Sequence, residues 1–218
     1  MKRALAVILS VLIIDQALKV WVKLTFFYEG SISLLGDKGY LHFIENPGMA
    51  FGMVLGGEWG KLLLTLFRIV AVTAIGYSLF RMIKRKVRGA MVTSVSLIFA
   101  GALGNIIDST FYGLIFSQST TLKKAVLFPP EGGYGTLFHG AVVDMFYFPL
   151  WRGHLPEWLP FWGGDRFEFF QPVFNVADAA ITIGVVLFIL AQRGNKREEV
   201  QEPAPEPPSA QEEAPSVV

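Results

Sequence analysis

Four long apolar runs, at about residues 4–22, 62–80, 89–107 and 174–191, are separated by polar, aromatic and Gly/Pro-rich stretches. A helix rises about 1.5 Å per residue, so each run is long enough to cross a hydrocarbon core of about 30 Å. The pattern predicts an all-α integral membrane protein of four transmembrane helices, one domain over residues 1–195. The first run is preceded by Lys2-Arg3 and could be read as a cleaved leader. No small-x-small site follows it, and Asp15 and Lys19 interrupt it where a leader's apolar region would end, so a retained span is expected.

Between the first two runs, Gly39–Gly52 brings Pro47-Gly48 between short aromatic and aliphatic stretches. Pro then Gly suits the central positions of a type II turn, which predicts a small curved β-hairpin, a cradle on the membrane surface. The segment Ser109–Val173 is too long for a plain connection and is expected to form a long outer loop. Its Trp151, Trp158 and Trp162 look like anchors at headgroup level. In the third run Ser96, Ala100 and Gly104 recur every fourth position, a spacing that lets helices approach closely. Residues 196–218, rich in Glu, Pro, Ala and Gln, have little to bury and read as a disordered cytoplasmic tail.

Of the 218 residues 52% are hydrophobic, and the net charge of +1 gives no bulk attraction to nucleic acid. The distribution of charge says more. Residues 1–3, 81–88 and 193–197 hold ten of the nineteen Lys and Arg, whereas 25–61 and 108–173 together hold six. The positive-inside rule then places both termini and the 81–88 loop in the cytoplasm and the two long connections outside. With no cysteine, thiol chemistry is excluded.

Acids in such a chain are costly, on the order of 3 kcal/mol each at a span centre, and so point to function. Asn105-Ile-Ile-Asp108 closes the third run and Asn175-Val-Ala-Asp178 opens the fourth. Asn and Asp at i,i+3 share a helix face, and the two pairs can meet near the outer surface. Asp144 lies in a third apolar stretch, Ala141–Phe146. Two close carboxylates share a proton and can activate water while protonating a leaving amine. Spacing alone leaves open whether Asp144 or Asp108 partners Asp178. Asp15 and Lys19, at i,i+4, are read as a structural ion pair within one helix. Arg68 lies in the second run at nearly the depth expected for Asp178.

In order along the chain stand Asp15-Gln-Ala-Leu-Lys19, Glu45-Asn46-Pro-Gly-Met-Ala-Phe51, Gly104-Asn105-Ile-Ile-Asp108, Val142-Val-Asp144 and Phe174-Asn175-Val-Ala177-Asp178. This series resembles that of the bacterial lipoprotein signal peptidases (signal peptidase II) over about residues 4–192. The resemblance implies an aspartic endopeptidase of the bacterial inner membrane, acting at its outer face on prolipoproteins that carry a diacylglyceryl group. The cut would fall just before the lipidated cysteine. It implies Asp144 and Asp178 as the catalytic pair, with Asn46, Asn105, Asp108, Asn175 and Ala177 in support beside Asp15 and Lys19. The family motif ordinarily continues from Asp108 with Arg, and this chain has Ser109. Arg68 is the cation expected to replace part of that charge.

No cofactor or metal is expected, since His42, His139 and His154 show no ligand spacing and no His-Glu-x-x-His occurs. Ser109, Ser117 and Ser119 lack a nucleophile-elbow setting. The expected partners are the lipidated substrate and membrane lipids, with no nucleic acid, and one chain should suffice as a monomer. The rival reading is a small proton- or ion-coupled transporter. That reading predicts acids near the bilayer midplane and internal repeats, and the sequence shows neither.

Overall fold

The structure is a computed structural model that describes residues 1–48, 57–149, 151–169 and 172–201. Four of its helices are long and apolar enough to cross a membrane: α1 (Lys2–Thr25), α2 (Gly57–Lys84), α3 (Gly89–Ile107) and α5 (Val176–Gln201). The spans themselves cover Lys2–Thr25, Trp59–Lys84, Gly89–Ile115 and Val176–Arg193. Three thus run a few residues beyond the expected apolar limits, because helical hydrogen bonding continues under polar ends such as Lys23, Lys61 and Lys84. The third continues past Ile107 through a π-helical turn, Asp108–Tyr112, and a short α4 (Gly113–Ile115). Helix α5 runs through residues 196–201, where the expected tail begins, and residues 202–218 of that tail lie outside the described residues.

Helix α3 is the centre of the bundle. Ser96, Ala100 and Gly104 are all buried, as their spacing predicts, and Gly101 joins them. A Cβ at Gly101 would lie 2.2 Å from the Ala177 carbonyl oxygen, and one at Gly104 would lie 2.8 Å from an Asp15 carboxylate oxygen. Only glycine allows α1 and α5 to close on α3 here. The outer faces of the helices carry exposed Leu5, Leu9, Ile13, Phe67, Val70 and Val186, side chains that suit a lipid solvent.

At one end of the bundle sits a four-stranded antiparallel sheet in the order β1-β2-β3-β6, with β1 Ser31–Ser33, β2 Tyr40–Asn46, β3 Val142–Tyr147 and β6 Val173–Phe174. The expected small β-hairpin is present as β1–β2, while a turn about Pro47-Gly48 itself depends on residues outside the described ones. The β1–β2 hairpin turns before residue 40, and Pro47-Gly48 ends β2, whose second neighbour is the distant β3. Residues 49–56, the far side of the expected turn, lie outside the described residues. The long connection is likewise more than a loop. A second hairpin, β4 (Trp151–His154) with β5 (Arg166–Phe169), links β3 to β6, and Trp158 and Trp162 stand exposed near its tip.

The sheet is fastened to the helices in two ways. Val22, Phe26, Leu41, Phe43, Tyr112, Phe116, Val143 and Met145 form a core between the end of α1 and the inner sheet face. The wider π turn leaves carbonyls free to bond outward, and Ser109 and Thr110 accept from the N–H groups of Gly140 (2.9 Å) and Phe138 (3.1 Å). Those bonds seat the segment that leads into β3 and Asp144.

Candidate active site

Asp144 projects from β3, paired opposite Ile44 of β2, and is buried. Asp178 is half-buried in the first turn of α5. Asn175 links them. Its side-chain Nδ2 donates to Asp144 Oδ1 at 2.7 Å, while its backbone N–H donates to Asp178 Oδ2 at 3.2 Å. Its Oδ1 accepts the Asp178 N–H at 2.9 Å. That reciprocal pair is a capping box, in which Asn and Asp three residues apart satisfy donors that the helix start leaves open.

Asn105 and Asn46 complete the ring. Asn105 Nδ2 donates to Asp178 Oδ1 at 2.8 Å, and its Oδ1 accepts from Lys19 at 2.8 Å. Asn46 Nδ2 donates to Asp144 Oδ2 at 3.3 Å. The expected Asp15–Lys19 ion pair is present at 2.9 Å, but Lys19 also binds Asp108 at 2.8 Å, so the pair is a buried triad across α1 and the π turn. Asp108 accepts from the Val143 N–H at 3.3 Å, which fixes the strand one residue before Asp144. Asp15 accepts the Ala177 N–H at 2.9 Å, one residue before Asp178. Ala177 is fully buried beneath Gly101 and Gly104, where a larger side chain would push α5 away.

Sequence reasoning gave no role to three further groups. Gln16 donates to Asp108 at 2.8 Å and accepts from the Tyr112 hydroxyl at 3.2 Å. Lys23 is buried against Glu45 and Ser119. The available signal was spacing: Lys23 repeats the Asp15–Lys19 interval on one face of an apolar helix. Ser109 is buried, its hydroxyl donating to the Asn105 carbonyl at 2.9 Å. No ion pair joins Arg68 to either acid among the described residues. Arg68 donates to the Gly48 carbonyl at 2.8 Å and lies within electrostatic reach of both Asp178 and Asp144.

Burial pushes the Asp144 carboxyl up to about 7, helped by the nearby Asp178 and opposed by the Asn46 and Asn175 donors and Lys19. A carboxyl raised above its unfolded value holds its proton in the fold. Its contribution to stability is complete below about pH 4 and is lost as pH rises toward 7. Asp144→Asn, which mimics the neutral form, is therefore expected to melt increasingly above the wild type as pH rises from about 4 to 7. Thermal melting in detergent checks this, and a constant difference would mean that the folded state does not hold that proton.

The sequence profile of the family described as signal peptidase (SPase) II matches residues 7–193. The chain belongs to the signal peptidase II family. It is 52% identical over 186 residues to the lipoprotein signal peptidase of Porphyromonas gingivalis (strain ATCC 33277), covering 85% of this chain and 80% of that one. It is 39% identical over 196 residues to the lipoprotein signal peptidase of Amoebophilus asiaticus, covering 88% and 78%. Two solved structures described as bacterial membrane enzymes share the fold. One has a TM-score of 0.57 at 24% identity, covering 88% of this chain and 93% of that one; the other has 0.56 at 22%, covering 94% and 96%. Signal peptidase II members are aspartic peptidases, so within this family the acids at the sheet end of the bundle are the place to look for chemistry.

Proposed function

We propose that this membrane aspartic endopeptidase removes signal peptides from diacylglyceryl-modified prolipoproteins, cutting just before the lipidated cysteine with water held between Asp144 and Asp178. Membership of the signal peptidase II family supports the reaction class and the prolipoprotein substrate, and leaves the transporter reading without support. The observation that carries the site assignment is Asn175, which touches both acids at once. Asp178 takes a proton from the attacking water, and Asp144, which holds the resting proton, gives it to the substrate's carbonyl oxygen. As the tetrahedral intermediate collapses, the C–N bond breaks and the departing amine receives a proton from the pair. Asn46, Asn105 and Asn175 hold the carboxylates, while Asp15, Lys19 and Asp108 hold the asparagines and backbone that carry them.

The lysine and arginine clusters at 1–3, 81–88 and 193–197 support a bacterial inner-membrane location with both termini in the cytoplasm and the site at the outer face. All the site residues come from one chain, which supports a functional monomer. A diacylated cysteine is held at the headgroup boundary by its own chains, so the acids must work at that depth.

The test is cleavage by the purified protein in detergent of one prolipoprotein with and without its diacylglyceryl group. Cleavage of the modified form alone, at the bond before the lipidated cysteine, is expected; equal cleavage of both would overturn the lipid requirement. The pH–rate profile should be bell-shaped, belonging to the acid pair as a unit. With chemistry rate-limiting, a flat profile from about pH 4 to 9 would sink the shared-proton mechanism. Arg68→Gln loses the hydrogen bond to Gly48 and the cation facing the acids. It should cleave about tenfold more slowly with an unchanged melting point, and wild-type turnover would remove Arg68 from the site.

A further inference from the structure

Lys23 occupies a closed box. It is fully buried, its Nζ ion-paired with Glu45 and donating to Ser119 Oγ at 3.1 Å. Ser119 in turn donates to the same Glu45 oxygen at 2.9 Å. Phe43, Phe116 and Tyr134 present their rings to the ammonium at 5.9, 5.4 and 4.9 Å. A desolvated cation is expensive unless its partners are fixed, and here carboxylate, hydroxyl and three ring faces are all fixed.

The box lies next to the proposed dyad. Glu45 pairs with Val143 in the β2–β3 register and immediately precedes Asn46, which bonds Asp144. Immediately beyond, the Gly48 N–H donates to Asn46 Oδ1 at 2.8 Å while the Gly48 carbonyl is held by Arg68. Asn46 is thus bracketed by a cation from α1 on one side and a cation from α2 on the other. Asp15, Lys19 and Lys23 stand at four-residue intervals along α1. They tie down in turn the start of α5, the Asn105–Asp108 turn and the end of β2.

We propose that the buried Lys23–Glu45–Ser119 cluster is a positioning device for catalysis, setting the depth and aim of Asn46 on Asp144. It rests on the reading of Asp144 as a member of the dyad and adds residues that touch neither substrate nor the reacting atoms. Lys23 acts through the backbone of β2.

Replacing both charges, Lys23→Met with Glu45→Leu, removes the pair without leaving one charge buried alone, a change that buried ion pairs often tolerate. In the full chain in detergent this variant is expected to melt no lower than the wild type. Its kcat should be about tenfold lower with little change in KM. Weaker donation from Asn46 leaves Asp144 holding its proton more tightly, so the pH optimum should rise by about half a unit to one unit. The other charges that face Asp144, namely Asp178, Lys19 and Arg68, are untouched. Asn46→Ala should give the same rise, and adding the Lys23 and Glu45 replacements to it should cost nothing more. Wild-type kcat and pH optimum, or losses that add in the combined variant, would overturn the proposal. If the paired replacement melts early, Ser119→Ala supplies the same reading with both charges kept, and an unshifted optimum there overturns it equally. Asp144→Asn in the same assay separates the two layers. Full activity in it refutes the dyad, whereas its inactivity beside a wild-type paired replacement refutes only the positioning role.

Discussion

Asp144→Asn and Asp178→Asn should each cut cleavage of a diacylglyceryl-modified prolipoprotein by about 1,000-fold or more, while the protein still folds in detergent. The size follows from the chemistry. Each substitution removes a proton acceptor or donor, and a positioned acid or base contributes about 100- to 10,000-fold. The shape is nearly conserved, since Asn is isosteric with Asp, and its one carbonyl oxygen keeps one of the two donors at each site, Asn46 or Asn175 at residue 144 and Asn105 or the Asn175 N–H at residue 178. Asp108→Asn is the informative control. Asp108 accepts from Lys19, Gln16 and the Val143 N–H, so its amide should impair stability as well as rate. If cleavage survives Asp144→Asn but vanishes in a well-folded Asp108→Asn, the enzyme class stands and the dyad moves to Asp108 and Asp178.

Lys19→Met should destabilise the protein by about 3–5 kcal/mol, the cost of removing one partner from a buried ionic group. Lys19 is fully buried, and its ammonium faces Asp15, Asp108 and Asn105 at 2.8–2.9 Å. Without it, two fully buried carboxylates lose their countercharge in a part of the bundle that water does not reach. Total stabilities of about 5–15 kcal/mol leave little room for such a loss. The expected result is a sharp drop in melting temperature or failure to accumulate, partly restored by Asp108→Asn in the same chain. A Lys19→Met protein that melts with the wild type would refute the triad.

The spans were legible because a lipid solvent makes one demand, a run of apolar residues of sufficient length. Their ends were less so, because Lys61 and Lys84 continue a helix that hydropathy alone would stop. The Asn-x-x-Asp pairs were legible for the same local reason, since three residues of helix set the geometry. The sheet was not. Asn46 and Asp144 meet across nearly a hundred residues, and a six-residue apolar strand such as Val142–Tyr147 carries no period that separates it from buried helix. From the residues alone Asp108 and Asp144 stood level, and the resemblance to signal peptidase II favoured Asp144. Lys23 had a readable spacing, but its partners on β2 and in the 116–127 segment depend on tertiary contacts that one sequence does not display.

The capping box at the start of α5 gives the proposed chemistry a second employer. Asp178 is at once a proposed acid and the side chain that closes the first turn of its helix with Asn175. An inhibitor seated on Asp178 would therefore leave the cell little room to acquire resistance at that position. Any side chain there that offered no acceptor would also lose the bond from the Asn175 N–H and loosen the helix start. Escape variants should accumulate instead at positions that bond to neither acid, where the drug can be crowded out without disturbing them.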